Sequence, residues 1–319
     1  MNNTFDAFPF LSFYRSKRNP HAQKSQNEAD FQVLERVFLN TFEVGLFEVY
    51  EFLYQHCTSD LQFENWLIDL KGRAFYEKKK ALFNDWHENK QDVEDDFSDT
   101  AILSDEQLSF WEANGYLQLN EFITKEDCDD VVALICTTLG VDLESPATWY
   151  PQHEMLQGLM LQLYQGEPIE KIRRNERLFA VFAQLYGTKK LIANTEKVSY
   201  NPPETDSFHF MGSALHWDID FNLGPKYYIQ GLVYLNDVPA DRGAFSLVPR
   251  FHKKIDDVLT EESPEVAIAR IKETEKVDYL AGKKGDLILW LEKLPHAATA
   301  NRSDLPRFVQ YVSFLKPII

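Results

Sequence analysis

The segment LHWDID, residues 215–220, places a histidine and an aspartate two positions apart, at His216 and Asp218. Side chains at positions i and i+2 of a β-strand point to the same side, so we expect both groups to reach one ion. An imidazole together with a carboxylate suits a borderline divalent metal. The segment therefore predicts a metal site, which needs at least one further ligand from elsewhere in the chain.

His296 is the candidate for that further ligand, because it follows the predicted strand DLILWL (286–291) and precedes a turn. The next predicted strand, RFVQYVSF (307–314), begins with Arg307, eleven residues after His296. Two consecutive antiparallel strands of a barrel can hold both side chains near one interior site. Two histidines and one carboxylate on one face of an octahedron leave positions open, as in non-haem Fe(II) oxygenases. An interior guanidinium needs an anion, and its planar fork matches a carboxylate.

Simpler interpretations of these residues remain open at this point. His216 alone is compatible with a surface histidine beside a helpful carboxylate, and Arg307 with a rim residue paired with Asp304. His153 and His209 have no evident companions, and we expect no ligand role for them. The combination of the His-x-Asp motif, a distal histidine and an arginine eleven residues later is more specific than any of its parts.

The elements that position these residues change character along the chain. Residues 1–29 are polar and predict an irregular arm, and 30–87 predict helices, with Phe38, Phe42, Leu46, Tyr50, Leu53 and Tyr54 on one stripe. The acidic run 91–99 predicts a solvated linker, so we divide the chain into 1–29, a helical region with its linker at 30–99, and a main domain at 100–319.

In the main domain, capping signals and then strand signals dominate. Ser104 with Gln107 predicts a capping box, Gly115 a helix end, and Thr124 to Gly140 a second helix. Helical patterns continue through 154–164 and 168–186. Short runs rich in Val, Tyr, Ile and Phe follow and predict strands, at 197–200, 227–235, 245–249, 286–291 and 307–314. Helices followed by many short strands predict an α+β fold with an antiparallel barrel or sandwich.

Composition argues against several classes of partner. The 319 residues carry a formal net charge of −17, which disfavours binding to nucleic acid and to anionic membranes. Three cysteines without a CxxC motif indicate a reducing compartment, and no apolar run approaches the roughly 20 residues of a membrane span. We therefore expect a cytoplasmic protein with a small-molecule substrate, no nucleic acid and no membrane as partners, and possible self-association through the helical region.

Residues 103–316 resemble the phytanoyl-CoA dioxygenase family of Fe(II)- and 2-oxoglutarate-dependent oxygenases. The resemblance is carried by LSDEQLSFWEANGYLQLNEFITKEDCDDV, by LHWDID, by GLVYLNDVPADRGAFSLVPRFHKK and by LPHAATANRSDLPRFVQYVSF. It implies a double-stranded β-helix (jelly roll, cupin-like) core backed by helices, with an N-terminal helical extension. It also implies Fe(II) as cofactor, with 2-oxoglutarate and O2 as cosubstrates.

The resemblance assigns roles to particular residues. It implies that His216, Asp218 and His296 bind iron and are catalytic, and that Arg307 holds the distal carboxylate of 2-oxoglutarate. Polar residues on the strand before LHWDID contact the cosubstrate in the family, which points to Lys197 and Ser199 here. We further expect a substrate wall among aromatic and polar side chains of neighbouring strands, namely Trp217, Tyr200, Tyr228 and Gln230.

The sequence departs from the family pattern at two places. Many members have a small hydroxyl residue two positions after the distal histidine, whereas this chain has Ala298 followed by Thr299. The usual PGSHK-like turn is PRFHK, so we give His252 a structural role and no ligand role. Because Asp218 is a carboxylate and not the small residue of related halogenases, the resemblance favours hydroxylation.

The sequence leaves three alternative functions open. The first is hydroxylation of an unactivated C–H bond of a small molecule, amino-acid-like or from a natural-product pathway. The second is hydroxylation of an acyl-CoA or carrier-linked acyl group, to which the basic clusters KIRR (171–174) and RFHKK (250–254) could contribute. The third is a non-enzymatic cupin-like binding or interaction protein. The motifs of zinc and serine hydrolases and of P-loop and dinucleotide-binding proteins are absent.

Overall fold

The computed structural model describes residues 8–18, 28–88, 101–222 and 224–317. The acidic run 91–99 and most of the predicted N-terminal arm lie outside these residues. The described helices are α1 (Pro9–Lys17), α2 (Glu28–Phe42), α3 (Leu46–Gln55), α4 (Asp60–Lys71), α5 (Arg73–Glu88), α6 (Asp105–Asn114), α7 (Lys125–Leu139), α8 (Glu167–Arg173), α9 (Glu176–Tyr186), α10 (Ile255–Glu261) and α11 (Pro264–Thr274).

The described strands are short and begin after α6. They are β1 (Tyr116–Leu119), β2 (Leu156–Gln157), β3 (Met160–Leu161), β4 (Ile192–Ala193), β5 (Val198–Asn201), β6 (Ile229–Tyr234), β7 (Phe245–Leu247), β8 (Asp278–Leu280), β9 (Leu287–Leu291), β10 (His296–Ala297) and β11 (Arg307–Leu315). Among the described residues, no helix combines the length and the apolar composition that crossing a bilayer requires.

The chain divides into two compact units, and the first consists mainly of α1–α5. Its core is aromatic: the ring of Phe38 lies 4.9 Å from Phe10, 5.0 Å from Tyr14 and 5.0 Å from Phe42. Glu35 is buried in this core, where it accepts a hydrogen bond of 2.8 Å from the Tyr14 hydroxyl. Arg18 pairs with the same carboxylate, so the buried charge is compensated.

Two sequence predictions for this unit are wrong in detail. Pro9–Lys17 is helical where an irregular arm was predicted, because Phe10, Leu11 and Tyr14 are buried. The predicted single stripe is divided between α2 and α3, since Glu43 has a positive φ of 54° between them. Tyr54, at the end of that stripe, is consequently 51% exposed.

The second unit contains the strands that form the candidate site, and it confirms the α+β class. The larger sheet runs in the order β1-β9-β6-β11-β5-β3-β2, and the smaller in the order β10-β7-β8. The pairs along both paths are antiparallel. Among the described residues these strands form two open sheets and no closed barrel.

Side chains from both sheets share one hydrophobic core. Leu232 and Trp290 of the larger sheet and Phe245 and Leu247 of the smaller sheet belong to the same buried cluster. The rings of Phe245 and Trp290 lie 4.3 Å apart, which fixes the spacing of the two sheets at this point.

Helices of this unit begin and end at the predicted capping residues. Ser104 and Gln107 form the capping box of α6, and Gly115 ends that helix in the left-handed region. Thr124 caps α7, which ends at Gly140. The helix predicted at 154–164 is wrong, since this segment is the hairpin β2–β3, whose strand β3 pairs with β5. Pairing with a neighbouring strand has overridden the local helical pattern.

Candidate functional site

The side chains of His216, Asp218 and His296 converge on one point. The Nε2 of His216 lies 3.5 Å from Oδ1 of Asp218, and the Nε2 of His296 lies 3.3 Å from Oδ2. One ligand atom from each residue lies within 4.8 Å of the other two. Two imidazole nitrogens and a carboxylate oxygen at these separations fit three positions of a divalent ion that prefers mixed nitrogen and oxygen ligands.

The backbone brings the two histidines together. His216 and His296 form an isolated antiparallel bridge, in which each backbone N–H donates to the other's carbonyl, at 3.0 and 2.9 Å. Each ring is fixed by its own chain, since Nδ1 of His216 donates to Ala214 O at 2.8 Å and Nδ1 of His296 to Leu294 O at 3.0 Å. Because a carbonyl only accepts, both Nε2 atoms are left to face Asp218 or a metal.

The carboxylate of Asp218 is oriented by the larger sheet. The side-chain amide of Gln230, on β6, donates to Asp218 Oδ2 at 2.7 Å, and its own carbonyl accepts from Trp290 Nε1 at 2.9 Å. The Trp290 ring also lies 5.3 Å from the His296 ring. Gln230 therefore positions the Asp218 carboxylate in addition to lining the cavity.

Electrostatics within the cluster favour the ionised carboxylate. Burial alone raises the pKa of Asp218, but hydrogen bonds from His216 and His296 outweigh burial and hold that pKa well below its usual range. The hydrogen bond to Asp218 raises the pKa of the His216 imidazole, against the effect of burial. These opposite pKa shifts are expected when two histidines face one carboxylate in the absence of a metal. A cation bound at the same point would compensate the charge of Asp218 in place of the imidazole protons.

A cavity of about 380 Å³ opens on this cluster. His296 is buried, whereas the side chains of His216 and Asp218 are 38% and 49% exposed, so one side of the cluster is open to ligands. Both sheets contribute to the lining, through Gln230, Trp290 and Arg307 of the larger sheet and Phe245 and His296 of the smaller one.

Arg307 supplies a buried positive charge to the same cavity. It is 1% exposed, and its guanidinium donates to Gly243 O at 2.6 Å and to Ser199 Oγ at 3.1 Å. Its Nε has no hydrogen-bond partner, and no acidic side chain of the described residues pairs with it. Asp304, the alternative partner considered above, pairs instead with Arg242 at 2.7 Å. A buried, unpaired cation is costly, so this geometry calls for an anionic ligand.

Gly243 makes the first of those hydrogen bonds possible. Its φ is +66°, and a Cβ there would lie 2.5 Å from Asn201 Nδ2 and 2.8 Å from Thr299 O. A larger residue would therefore push the backbone away from Arg307. Ser199 is fully buried and holds the other side of the guanidinium, while Lys197 lines the cavity itself.

The four predicted substrate residues separate into two groups. Gln230 lines the cavity, but Trp217, Tyr200 and Tyr228 are not part of its lining. Trp217 is buried, with its Nε1 donating to Lys293 O at 3.1 Å, and the hydroxyl of buried Tyr200 donates to Trp149 O at 2.8 Å. The hydroxyl of Tyr228 donates to Ser313 Oγ at 3.1 Å. These three aromatic residues therefore form hydrogen bonds with neighbouring segments and are not part of the cavity wall.

The residues that depart from the family pattern can also be located in the structure. Ala298 lines the cavity without a hydroxyl group, and the Thr299 hydroxyl donates to Ala244 O at 2.8 Å. His252 lies outside the cavity, with Nε2 3.2 Å from Glu112 O, and its burial lowers the pKa of its imidazole. A Cβ on Gly115 would lie 2.5 Å from its Nδ1, so His252 packs tightly against the end of α6.

Sequence reasoning missed several residues of the cavity. Met211 and Gly212 come from the loop before His216, Leu159 and Met160 from the β2–β3 hairpin, and Glu196 from the segment before β5. None of them belongs to a motif with chemical spacing. Glu196 could have been noted only as the sequence neighbour of Lys197.

Comparison with known proteins identifies the family that part of this chain matches. Residues 191–309 match the family model described as phytanoyl-CoA dioxygenase. A protein of Dictyostelium discoideum named putative phytanoyl-CoA dioxygenase is 22% identical over 255 residues, which cover 64% of this chain and 73% of that protein. The 2-aminoethylphosphonate dioxygenase of the uncultured bacterium HF130_AEPn_1 is 21% identical over 226 residues, which cover 67% of this chain and 82% of that protein.

Solved structures show the same fold at low sequence identity. The non-heme alpha ketoglutarate dependent carbocyclase SnoK from nogalamycin biosynthesis aligns with a TM-score of 0.53 at 17% identity, covering 67% of this chain and 85% of that one. EctD from S. alaskensis with bound Fe aligns with a TM-score of 0.51 at 16% identity, covering 70% of this chain and 80% of that one. The described arrangement of helices and antiparallel sheets is thus one that proteins of this kind share.

Proposed function

We propose that this chain, whose residues 191–309 match the phytanoyl-CoA dioxygenase family model, hydroxylates an unactivated C–H bond of a small, amino-acid-like or natural-product molecule. It is a 2-oxoglutarate-dependent dioxygenase, with Fe(II) as cofactor and O2 as second cosubstrate. One observation supports the proposal most strongly. A single cavity contains both the cluster of two histidines and one aspartate and the buried, anion-seeking Arg307.

The residues of this cavity have different roles in such a reaction. His216, Asp218 and His296 would hold Fe(II), which supplies O2 activation and couples decarboxylation of 2-oxoglutarate to oxygen insertion into the C–H bond. Arg307 binds and orients the distal carboxylate of 2-oxoglutarate, with its guanidinium held by Gly243 and Ser199. Lys197 lines the same cavity and adds a second positive charge for an anionic group.

The proposal includes the finer fold. We take the two antiparallel sheets as the halves of a double-stranded β-helix. Their common core cluster supports this assignment, as do the bridge between His216 and His296 and the cavity lined by both sheets.

An acyl-CoA substrate is less well supported than a small molecule. The cluster KIRR is neutralised, since Lys171 pairs with Asp127 at 2.5 Å and Arg174 with Glu170 at 3.0 Å. Arg173 of that cluster is buried and donates to Tyr164 O. A cavity of about 380 Å³ lies near the lower end of the usual range for ligand pockets, about 300–1,000 Å³, and it must also accommodate the cosubstrate.

Anaerobic titration with Fe(II) and 2-oxoglutarate tests the proposed function, with the weak visible charge-transfer band as readout. The wild type is expected to form the band, His216→Ala to lose it, and Arg307→Ala to need far more 2-oxoglutarate. His56→Ala, at an exposed histidine of the first unit, is the matched control and should behave like the wild type. If the wild type retains no metal and forms no band, a non-enzymatic binding protein becomes the better description.

Two further properties belong to the same proposal. The three free cysteines support a cytoplasmic enzyme. The first unit exposes Phe47, Tyr54 and Leu61 at 49%, 51% and 52%, which supports self-association through its helices. Sedimentation should show a dimer or larger species that Phe47→Glu with Leu61→Glu converts to monomer. A monomeric wild type would contradict this.

A further inference from the structure

Glu196 is an acidic side chain in the cavity that neither the metal cluster nor the cosubstrate requires. Its Oε1 accepts a hydrogen bond of 2.7 Å from Ser313 Oγ, and Ser313 Oγ in turn accepts from the Tyr228 hydroxyl at 3.1 Å. This relay fixes the position of the carboxylate. Within residues 101–222 and 224–317, no lysine, arginine or histidine forms an ion pair with it.

The position of Glu196 relative to the metal cluster follows from strand register. Gln230 on β6 lies directly opposite Ser313 on β11. Side chains of such antiparallel partners lie on one face of the sheet, with Cβ atoms about 4.5–5.5 Å apart. Gln230 contacts Asp218, and Ser313 contacts Glu196. The Glu196 carboxylate is therefore held about one strand spacing from the residue that orients a metal ligand.

The cosubstrate arginine lies at the other end of the same strand. Arg307 and Ser313 are six residues apart on one face of β11, which corresponds to roughly 20 Å at about 3.3 Å per residue. Lys197 lies between them, because its carbonyl accepts from Tyr311 N. The cavity thus has a positive end at Arg307 and a negative end at Glu196. A dicarboxylate cosubstrate is attracted to the first end and repelled by the second.

We propose that Glu196 binds a protonated amine of the substrate and thereby selects aminated compounds over otherwise identical neutral ones. The proposal rests on the proposed function, since it takes the remaining space of this cavity as the substrate site. A carboxylate fixed by Ser313 and lacking a cationic partner is suited to an ammonium group, and Lys197 beside it is suited to an acid group of the same molecule. A charge-assisted hydrogen bond of this kind should favour the amine by roughly 10- to 100-fold in affinity.

The test compares probes that differ only in an amine. The pairs are norvaline and α-hydroxyvalerate, δ-aminovalerate and δ-hydroxyvalerate, and aminoethylphosphonate and hydroxyethylphosphonate. Their binding is measured by calorimetry on the metal-free protein, and again under argon with Fe(II) and 2-oxoglutarate. The wild type should bind at least one amine about 10-fold or more tightly than its hydroxyl partner.

Three variants separate the role of charge from that of folding. Glu196→Gln keeps the shape and should lose the preference for the amine, while Glu196→Asp should keep part of it. Glu144→Gln, at an exposed glutamate outside the cavity, should match the wild type. Unchanged thermal unfolding of Glu196→Gln ensures that a loss of preference reports recognition.

The outcomes distinguish this inference from the proposed function. A preference for amines that survives in Glu196→Gln, or that is absent from the wild type, overturns the role of Glu196. If the Fe(II) and 2-oxoglutarate band forms in that case, the dioxygenase stands without it. A Glu196-dependent preference for amines without the band means that the ammonium site is real and the proposed chemistry is not.

Discussion

The candidate metal cluster and the arginine site, which line one cavity, are built in opposite ways. His216 and Asp218 lie on an irregular segment in which only His216 joins a β-bridge, and their side chains are 38% and 49% exposed. Arg307 begins a strand of nine residues between two neighbouring strands and is 1% exposed. A few hydrogen bonds hold the side chains of His216 and Asp218 in place, whereas Arg307 is held by a strand that pairs with a neighbour on each side.

The difference teaches what each site must do. A metal centre that exchanges ligands needs an open side, and the hydrogen bonds to Ala214, Leu294 and Gln230 keep its side chains oriented nevertheless. A carboxylate anchor needs a fixed charge of low mobility, and burial among strands provides this. Variants at the exposed residues His216 and Asp218 should therefore change metal binding more than folding, whereas variants at Arg307 should affect both binding and folding.

The largest effect is expected from Asp218→Ala. This variant removes one of the three proposed ligands and the only negative charge of the cluster, so Fe(II) affinity should fall by at least about 100-fold. Because Asp218 is half exposed, thermal unfolding of the metal-free protein should change less than in a variant of buried Arg307. The matched control is Asp220→Ala, whose carboxylate accepts only from Asn222 among the described residues and should not matter for metal. Equal metal content in both variants would remove Asp218 from the ligand set.

A second prediction concerns Arg307→Lys, which should raise the 2-oxoglutarate concentration needed for half-saturation by about 10- to 100-fold. A lysine keeps the charge, but it cannot donate to Gly243 and Ser199 while also facing a carboxylate in a forked geometry. We also expect a lower unfolding temperature, unlike for Asp218→Ala. Arg242→Lys, at an arginine whose partner Asp304 is exposed, provides the comparison. Unchanged 2-oxoglutarate affinity in Arg307→Lys would place the cosubstrate elsewhere.

A third, intermediate effect is expected from Gln230→Leu. The variant keeps the approximate volume but removes the donor to Asp218 Oδ2 and the acceptor for Trp290 Nε1. Residues that orient metal ligands typically contribute about 10- to 100-fold in metal affinity. Calorimetry with Fe(II) should show a loss in that range, and a full loss equal to that of Asp218→Ala would mean that Gln230 is itself a ligand.

The sequence predicts local features of this molecule well. Ser104, Gly115, Thr124 and Gly140 mark the ends of α6 and α7, because capping depends on hydrogen bonds within a few residues. The strands β5, β6, β7, β9 and β11 coincide with the five predicted runs to within one or two residues at most of their ends. The hairpin β2–β3 was not predictable in the same way, since its stability comes from pairing with β5, far away in sequence.

The candidate site was only partly accessible to sequence reasoning. The cluster of His216, Asp218 and His296 follows from a motif and a spacing, although LHWDID does not form a regular strand. Aromatic identity, by contrast, does not reveal which face of a strand a residue occupies. Tyr200 and Trp217 are buried outside the cavity, whereas Glu196 lines the cavity although it belongs to no sequence motif.

The smallest effect is expected from Ser199→Ala, which sharpens the comparison at the arginine end. Ser199 accepts one hydrogen bond from Arg307, while Gly243 accepts another and is unaffected by the change. Loss of one such bond costs about 1–2 kcal/mol, so 2-oxoglutarate affinity should fall by only about 5- to 30-fold. The matched control is Ser246→Ala, at a buried serine whose hydroxyl donates to Ala297 O and not to Arg307.

Similar loss of stability in the two variants, with weaker 2-oxoglutarate binding in Ser199→Ala alone, would identify Ser199 as a support of Arg307. A loss as large as that of Arg307→Lys would mean that Ser199 contacts the cosubstrate directly, and the arginine end would then depend on local contacts as much as the metal end does.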